Sequence, residues 1–277
     1  MKTLYVTDLD GTLLNDEARV SSISATTISE LSRLGALISV STARTPATVD
    51  MLMADTFTTV DMVVMTGAAL WNREQRCFKG LRLLTSDDVQ TLLECFDGSG
   101  VYPFCYTYEG SRTLEVYHGA ECLTAAEQLF VDQRNSLALK KFNLSTTVPQ
   151  EAYDRMVLFF AVGAKDAIVT VAEKASQSTR CYVSYYKDTY TPDLWMLEIF
   201  AEGVSKADGV ARLKAATGAD RVVAFGDNLN DIAMLRAADV AVAVGNALDE
   251  VKAVADVVIG TNNEDAVARY IADDFKL

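Results

Sequence analysis

Leu4-Tyr5-Val6-Thr7-Asp8-Leu9-Asp10-Gly11-Thr12 decides how the rest of the chain is read. Its first four residues are a short β-prone run, and the run stops at a carboxylate. A second acid follows two residues on, then a glycine free to make a tight turn. A strand that ends in polar groups and a turn suits the edge of an open parallel sheet, where ligands bind beyond the carboxyl ends of the strands.

Working outward, Ser22 to Leu34 places Ile23, Ile28, Leu31 and Leu34 at helical spacing and closes at Gly35. Ala36 to Val40 reads as a second buried strand, Pro46 to Met53 as a helix with proline at its start, and Val60 to Met65 as a third strand. The end of the chain repeats the rhythm. Lys206 to Ala216 is helical and stops near Gly218. Arg221 to Phe225 is a strand, Asp231 to Ala238 a helix, and Val240 to Val244 an apolar run. Ala247 to Ala255, Val257 to Ile259 and Ala266 to Ala272 follow as helix, strand and helix. Strands alternating with helices predict an α/β fold with a doubly wound parallel sheet. Leu83 to Pro192 breaks the rhythm. It is rich in aromatics, among them Tyr102, Phe104, Tyr106, Tyr117 and Tyr186, and holds the sole histidine, His118. The expected organisation is therefore a core of residues 1–82 and 193–277, with an α+β insertion at 83–192.

The chain has 277 residues, and half are hydrophobic, enough for a sizeable core. Its 25 Lys+Arg against 38 Asp+Glu give a net charge of −13, which argues against nucleic acid as a partner. No uncharged apolar run approaches membrane-spanning length, so no membrane partner is expected. Met1-Lys2-Thr3 leads directly into a strand without the pattern of a signal peptide, and the five cysteines form no CxxC pair. The expected location is cytoplasmic.

Three strand ends carry polar groups to one edge: Asp8-Leu9-Asp10-Gly11-Thr12, Ser41-Thr42-Ala43-Arg44, and Gly226-Asp227-Asn228-Leu229-Asn230-Asp231. Crowded carboxylates repel unless a cation lies among them. Oxygen donors without His or Cys suit Mg²⁺ rather than zinc. Aspartate is an established nucleophile for phosphoryl groups, and Lys206, just before a helix, offers a fixed positive charge. A calcium loop fails here, because Thr12 and Leu13 stand where an EF-hand has an acid or amide and a glycine. Taken singly, Thr42 reads as a helix cap, Lys206 as a solvated lysine and Asp231 as a helix N-terminal carboxylate. His118 and the insertion's aromatics read more readily as structure than as ligand contacts.

Together the runs Asp8 to Leu14, Thr42-Ala43-Arg44, Gly203-Val204-Ser205-Lys206 and Gly226 to Asp231 resemble, in order, the four motifs of the haloacid dehalogenase superfamily. Gly245-Asn246-Ala247 and the segments after it resemble its Cof-type phosphatases. The resemblance implies that Asp8 is the nucleophile and a Mg²⁺ ligand. Asp10 binds the metal through its carbonyl and serves as acid and then base. Leu9, Thr42, Ala43, Lys206 and Asn230 hold phosphate, Asp227 completes the metal site, and Asp231 supports it. Arg44 either steers anions or braces its loop. The insertion corresponds to a C2B-type cap that closes over the site and selects a small phosphorylated metabolite. Two positions depart from the pattern: Ala43 stands where glycine is usual, and Thr66, before Gly67-Ala68, where asparagine is frequent. A phosphomutase, a phosphometabolite sensor and a receiver domain are the competing readings. The intact Asp8, Asp10, Lys206 and Asp227 count against the sensor, and the insertion and second aspartate count against the receiver. Oligomeric state is not legible.

Overall fold

The computed structural model describes residues 1–110, 112–187 and 193–275. In chain order the strands are β1 (Thr3–Thr7), β2 (Leu37–Val40), β3 (Met62–Val64), β4 (Ala69–Asn72), β5 (Cys77–Lys79), β6 (Phe104–Tyr108), β7 (Leu114–His118), β8 (Lys140–Leu144), β9 (Met156–Gly163), β10 (Tyr182–Lys187), β11 (Trp195–Phe200), β12 (Arg221–Gly226), β13 (Val240–Ala243) and β14 (Val257–Val258). The helices are α1 (Ser22–Arg33), α2 (Pro46–Leu52), α3 (Ser86–Phe96), α4 (Ala125–Asp132), α5 (Lys165–Ser178), α6 (Lys206–Thr217), α7 (Ile232–Ala237), α8 (Asp249–Lys252) and α9 (Ala266–Asp274). Two compact units result, Met1–Gly80 with Ser205–Leu277, and Leu81–Val204.

The first unit is built on a parallel sheet of order β14-β13-β12-β1-β2. A parallel bridge from Ser41 to Val63 carries it on to β3, which begins a small antiparallel sheet with β4 and β5. Leu4, Tyr5 and Val6 in β1 and Val222 to Phe225 in β12 are all buried. That is why these strands read as unbroken apolar runs rather than as alternating ones. Helices α1 and α9 pack together, as do α6 and α7. Ser21 caps α1 by accepting the Ser24 N–H at 3.0 Å, and Gly218, left-handed at φ +63°, ends α6. From β1 the chain builds outward through β2 to β3 on one side, and later through β12, β13 and β14 on the other. The order therefore reverses between β1 and β12, the place where such sheets bind ligands.

The second unit holds a six-stranded sheet of order β10-β11-β9-β6-β7-β8, antiparallel except for the parallel β7–β8 pair. Helices α3 and α5 pack on each other, and α5 lies on β9, β10 and β11. Its core is aromatic: the Phe104 ring lies 5.0 Å from Phe130 and stacks at 4.1 Å on His118. Thr124 and Glu127 form a reciprocal cap at the start of α4. Because β11 is hydrogen-bonded between β9 and β10, the stretch from 193 to 204 belongs to this unit rather than to the core assigned from sequence. Residue 192, the expected end of the insertion, lies outside the described residues.

Candidate active site

Asp8 leaves β1 with its N–H bonded to the Phe225 carbonyl at 3.0 Å, so β12 fixes its backbone. The chain then makes a wide turn over Leu9–Leu13, closed by the Leu14 N–H on the Leu9 carbonyl at 2.8 Å. Gly11 is left-handed at φ +77°, and a Cβ there would come within 2.5 Å of the Asp227 carboxylate. Glycine is thus needed both for the turn and for the close approach of β12. Asn246 holds this turn from outside, donating to the Gly11 carbonyl at 2.7 Å.

Lys206 opens α6, whose cap is Ser205 accepting from the Asp208 N–H at 3.0 Å. The amine is fully buried and donates to Asp8 Oδ1 and to Asp231 Oδ1, each at 2.6 Å. Asp231 is saturated: its other oxygen accepts the backbone N–H groups of Asp227 and Asn228, both at 3.1 Å. This closes the loop after β12 and aims Asp227 toward Asp8. Thr12 donates its hydroxyl to Asp227 Oδ1 at 2.7 Å.

Burial pushes the Asp8 carboxyl well above its usual value, and the neighbouring Asp231 and Asp227 add to the rise against the pull of Lys206. Burial alone would lower the pKa of the Lys206 amine. The carboxylates of Asp231 and Asp8 outweigh it and hold the amine above its ordinary value, so it stays charged. Asp227 is raised to about 6, chiefly by burial, with the Thr12 hydrogen bond opposing. Carboxylate oxygens of Asp8, Asp227 and Asp231 lie within 4.8 Å of one another. One lysine cannot neutralise three acids. Asp8 Oδ2 makes no hydrogen bond among the described residues. A hard-oxygen donor set with excess negative charge fits a divalent cation such as Mg²⁺.

Thr42 sits at the end of the β2 run, buried, with its N–H on the Val63 carbonyl at 3.0 Å and its hydroxyl accepting from the Arg44 N–H at 3.2 Å. Ala43 keeps φ outside the left-handed range, so the methyl that replaces the usual glycine brings no backbone strain. Arg44 grips both oxygens of Asp10, Nε to Oδ2 at 2.7 Å and Nη2 to Oδ1 at 2.6 Å. The contact ties the loop that carries Thr42 to the turn that carries Asp10. Asp8, Lys206, Asp227 and Asp231 are therefore brought together, with Asp10 beside them and its side chain half exposed. Asn230 is exposed, and Leu9 is buried beneath the turn. Thr12, Asn246 and Gly67 were not singled out as site residues, although Thr12 lies within the first motif and a hydroxyl among acids is a signal. His118 lies fully buried in the second unit, facing Glu127 at 3.5 Å with Nδ1 3.2 Å from the Pro103 carbonyl, a place in the core.

Residues 5–271 match the haloacid dehalogenase-like hydrolases, and the chain belongs to that family. It is a phosphatase of the Cof type. Over 282 residues it is 27% identical to the 5-amino-6-(5-phospho-D-ribitylamino)uracil phosphatase YitU of Bacillus subtilis, covering 99% of this chain and 98% of that one. A shorter stretch of 77 residues is 48% identical to the pyridoxal phosphate phosphatase YbhA of Escherichia coli, covering 27% of this chain and 28% of that one. The fold is shared with a Thermotoga maritima protein solved by X-ray crystallography, at TM-score 0.78 and 21% identity, covering 100% of this chain and 99% of that one. A subclass IIB sugar phosphatase has the same fold at TM-score 0.71 and 21% identity, covering 99% and 98%.

Proposed function

We propose that this chain is a Mg²⁺-dependent phosphomonoesterase that hydrolyses small phosphorylated metabolites through an aspartyl-phosphate on Asp8. The observation that carries the reading is the buried Lys206 amine shared between Asp8 and Asp231, with Asp227 alongside, where the sheet order reverses. A structural ion pair needs one acid; here the amine bonds two, a third lies alongside, and among the described residues Asp8 Oδ2 and Asp227 Oδ2 make no hydrogen bond.

In the first step an Asp8 oxygen attacks phosphorus, the new O–P bond forms, and the ester O–P bond breaks on the opposite side. The leaving alkoxide takes a proton from Asp10. In the second step Asp10, now ionised, takes a proton from water as the water oxygen attacks phosphorus, and the Asp8–phosphorus bond breaks to release phosphate. Lys206 holds Asp8 in line and stays positive beside the transferring group. Thr42 and the amides of Leu9 and Ala43 bind phosphate oxygens, with Asn230 at the rim. Asp8, the Asp10 carbonyl and Asp227 are the groups to hold Mg²⁺, which when bound neutralises charge on the phosphoryl oxygens. Arg44 engages both oxygens of Asp10, so it must release that side chain before Asp10 can reach a leaving group or a water.

Phosphorylated sugars and phosphorylated heterocyclic compounds are the substrate classes the names of these relatives suggest, with the inserted unit providing selection. All five cysteines are free thiols, which fits a reducing cytoplasm. Among the described residues no helix is long and apolar enough to cross a membrane. The test is phosphate release from p-nitrophenyl phosphate and acetyl phosphate, with Mg²⁺ and with EDTA. Release that needs the cation supports the reading, and silence on both substrates refutes it.

A further inference from the structure

Met65, Thr66 and Gly67 are three consecutive residues with positive φ, at 51°, 55° and 94°. Glycine adopts this conformation freely. For a β-branched threonine it is an outlier that persists only where the surroundings hold it. Thr66 gains nothing locally in return, for its hydroxyl is buried and has no hydrogen-bond partner among the described residues. Something outside the turn must hold it in place.

The turn is tied on two sides. On one side the Thr66 N–H donates to the Thr42 carbonyl and the Met65 N–H to the Arg44 carbonyl, both at 3.0 Å. It thus zips onto the loop that carries Thr42, Ala43 and Arg44, and Arg44 in turn grips Asp10. On the other side Gly67 lies directly against the start of α6. A Cβ on Gly67 would fall 2.0 Å from the Ser205 carbonyl oxygen, and one on Gly209 would fall 3.0 Å from the Gly67 Cα. Arg212 of α6 locks this contact, donating to the Gly67 carbonyl, to the Gly80 carbonyl at 2.6 Å and to Asp208 at 2.9 Å. Ser205 is the residue before Lys206.

We propose that the left-handed turn Met65–Thr66–Gly67 is a positioning element that fixes the Thr42–Arg44 loop relative to Lys206, with Thr66 and Gly67 as its positioning residues. The inference rests on the phosphoryl-transfer reading given above. Its logic is geometric. Lys206 and the Thr42 loop come from segments far apart in the chain and must meet one phosphoryl group. A misplacement of about 1 Å in such a site is enough to cost about a hundredfold in rate. Only a backbone without a side chain at 67 lets α6 approach this closely, and only a left-handed residue at 66 keeps its N–H on Thr42.

The test compares three variants with the parent. Gly67→Ala forces the start of α6 away. Arg212→Gln loosens the same contact without a clash, so it reports even if Gly67→Ala does not fold. Thr66→Asn keeps the N–H and tolerates the left-handed region better. The readouts are kcat and KM for p-nitrophenyl phosphate with Mg²⁺, and calorimetric affinity for orthovanadate, a five-coordinate mimic of in-line transfer. A positioning role predicts kcat down roughly tenfold or more in Gly67→Ala and roughly fivefold in Arg212→Gln, with KM changed less than about threefold. Vanadate affinity falls by the same factors as kcat. Thr66→Asn keeps kcat within about twofold and melts higher. Folded Gly67→Ala or Arg212→Gln with parental kcat and parental vanadate affinity would overturn the proposal. If the parent hydrolyses nothing, the phosphatase reading fails, and vanadate affinity alone then decides this one; a parent that does not bind vanadate, or variants that bind it equally well, would refute it.

Discussion

Lys206 is the residue on which the first unit's electrostatics turn. Its amine is buried with Asp8 and Asp231 at 2.6 Å each, and both acids owe their tolerance of burial to it. Removing one partner of such a set is far more damaging than replacing the whole set, because charges are left uncompensated in low dielectric. Lys206→Met is therefore expected to abolish turnover and to lower stability by about 3–5 kcal/mol, read from urea unfolding in EDTA. An unchanged midpoint would show that Asp8 and Asp231 simply take up protons and that the amine is not what holds the loops. The same scale shows where residue-level reading of a sequence stops. Asp8, Asp227 and Lys206 were visible as residue types at strand and helix ends. The pairing of Arg44 with Asp10 was not, since nothing in Thr42-Ala43-Arg44 says which acid lies opposite. Nor was the left-handed backbone of Thr66, which is imposed by Thr42 and by α6, residues distant in sequence.

At the scale of elements, the second unit carries an inconsistency of its own. Lys140 starts β8 and is buried, with its amine 5.0 Å from the centre of the Tyr106 ring, about 6 Å from those of Phe130 and Phe142, and 3.5 Å from the Tyr106 hydroxyl. Burial, helped by Arg134, lowers its pKa from 10.5 to about 7. A lysine depressed in the folded state binds its proton less tightly there than in the unfolded chain. Its contribution to stability is thus present at high pH and is lost as pH falls from about 10 through about 7. Lys140→Met should melt above the parent by a margin that is largest below pH 7 and shrinks toward pH 10. Thermal scans across that range check it, and a margin independent of pH would show that the amine is not desolvated. The elements themselves were largely legible. Apolar runs bounded by turn residues located β1, β2, β12 and β13, and capping residues located α1 and α6. Boundaries were less so: the strand expected over Val60–Met65 is trimmed to Met62–Val64, because Met65 already belongs to the left-handed turn. The helix expected over Ala247–Ala255 is trimmed to Asp249–Lys252.

At the scale of the whole molecule, the chain order of the first unit explains why the site exists at all. Strands are added on one side of β1 before residue 81 and on the other after residue 204, so the two central strands, β1 and β12, come from opposite ends of the chain. Their carboxyl ends bring Asp8 and Asp227 together, and Gly11 lets them close. The alternation of strands and helices at both ends of the sequence was enough to foresee that sheet. The insertion was recognisable by its aromatic content. Its far limit was not, because Trp195–Phe200 looks like any strand, and only its hydrogen bonds to β9 and β10 show which sheet it joins.

The most direct test of the central claim is the turnover of p-nitrophenyl phosphate by Asp8→Asn beside the parent, in Mg²⁺, with both proteins shown to be folded. An amide cannot attack phosphorus, so the variant is expected to lose activity by roughly 10³-fold or more, the scale seen when a covalent nucleophile is removed. A folded Asp8→Asn protein that turns over at the parental rate would contradict it.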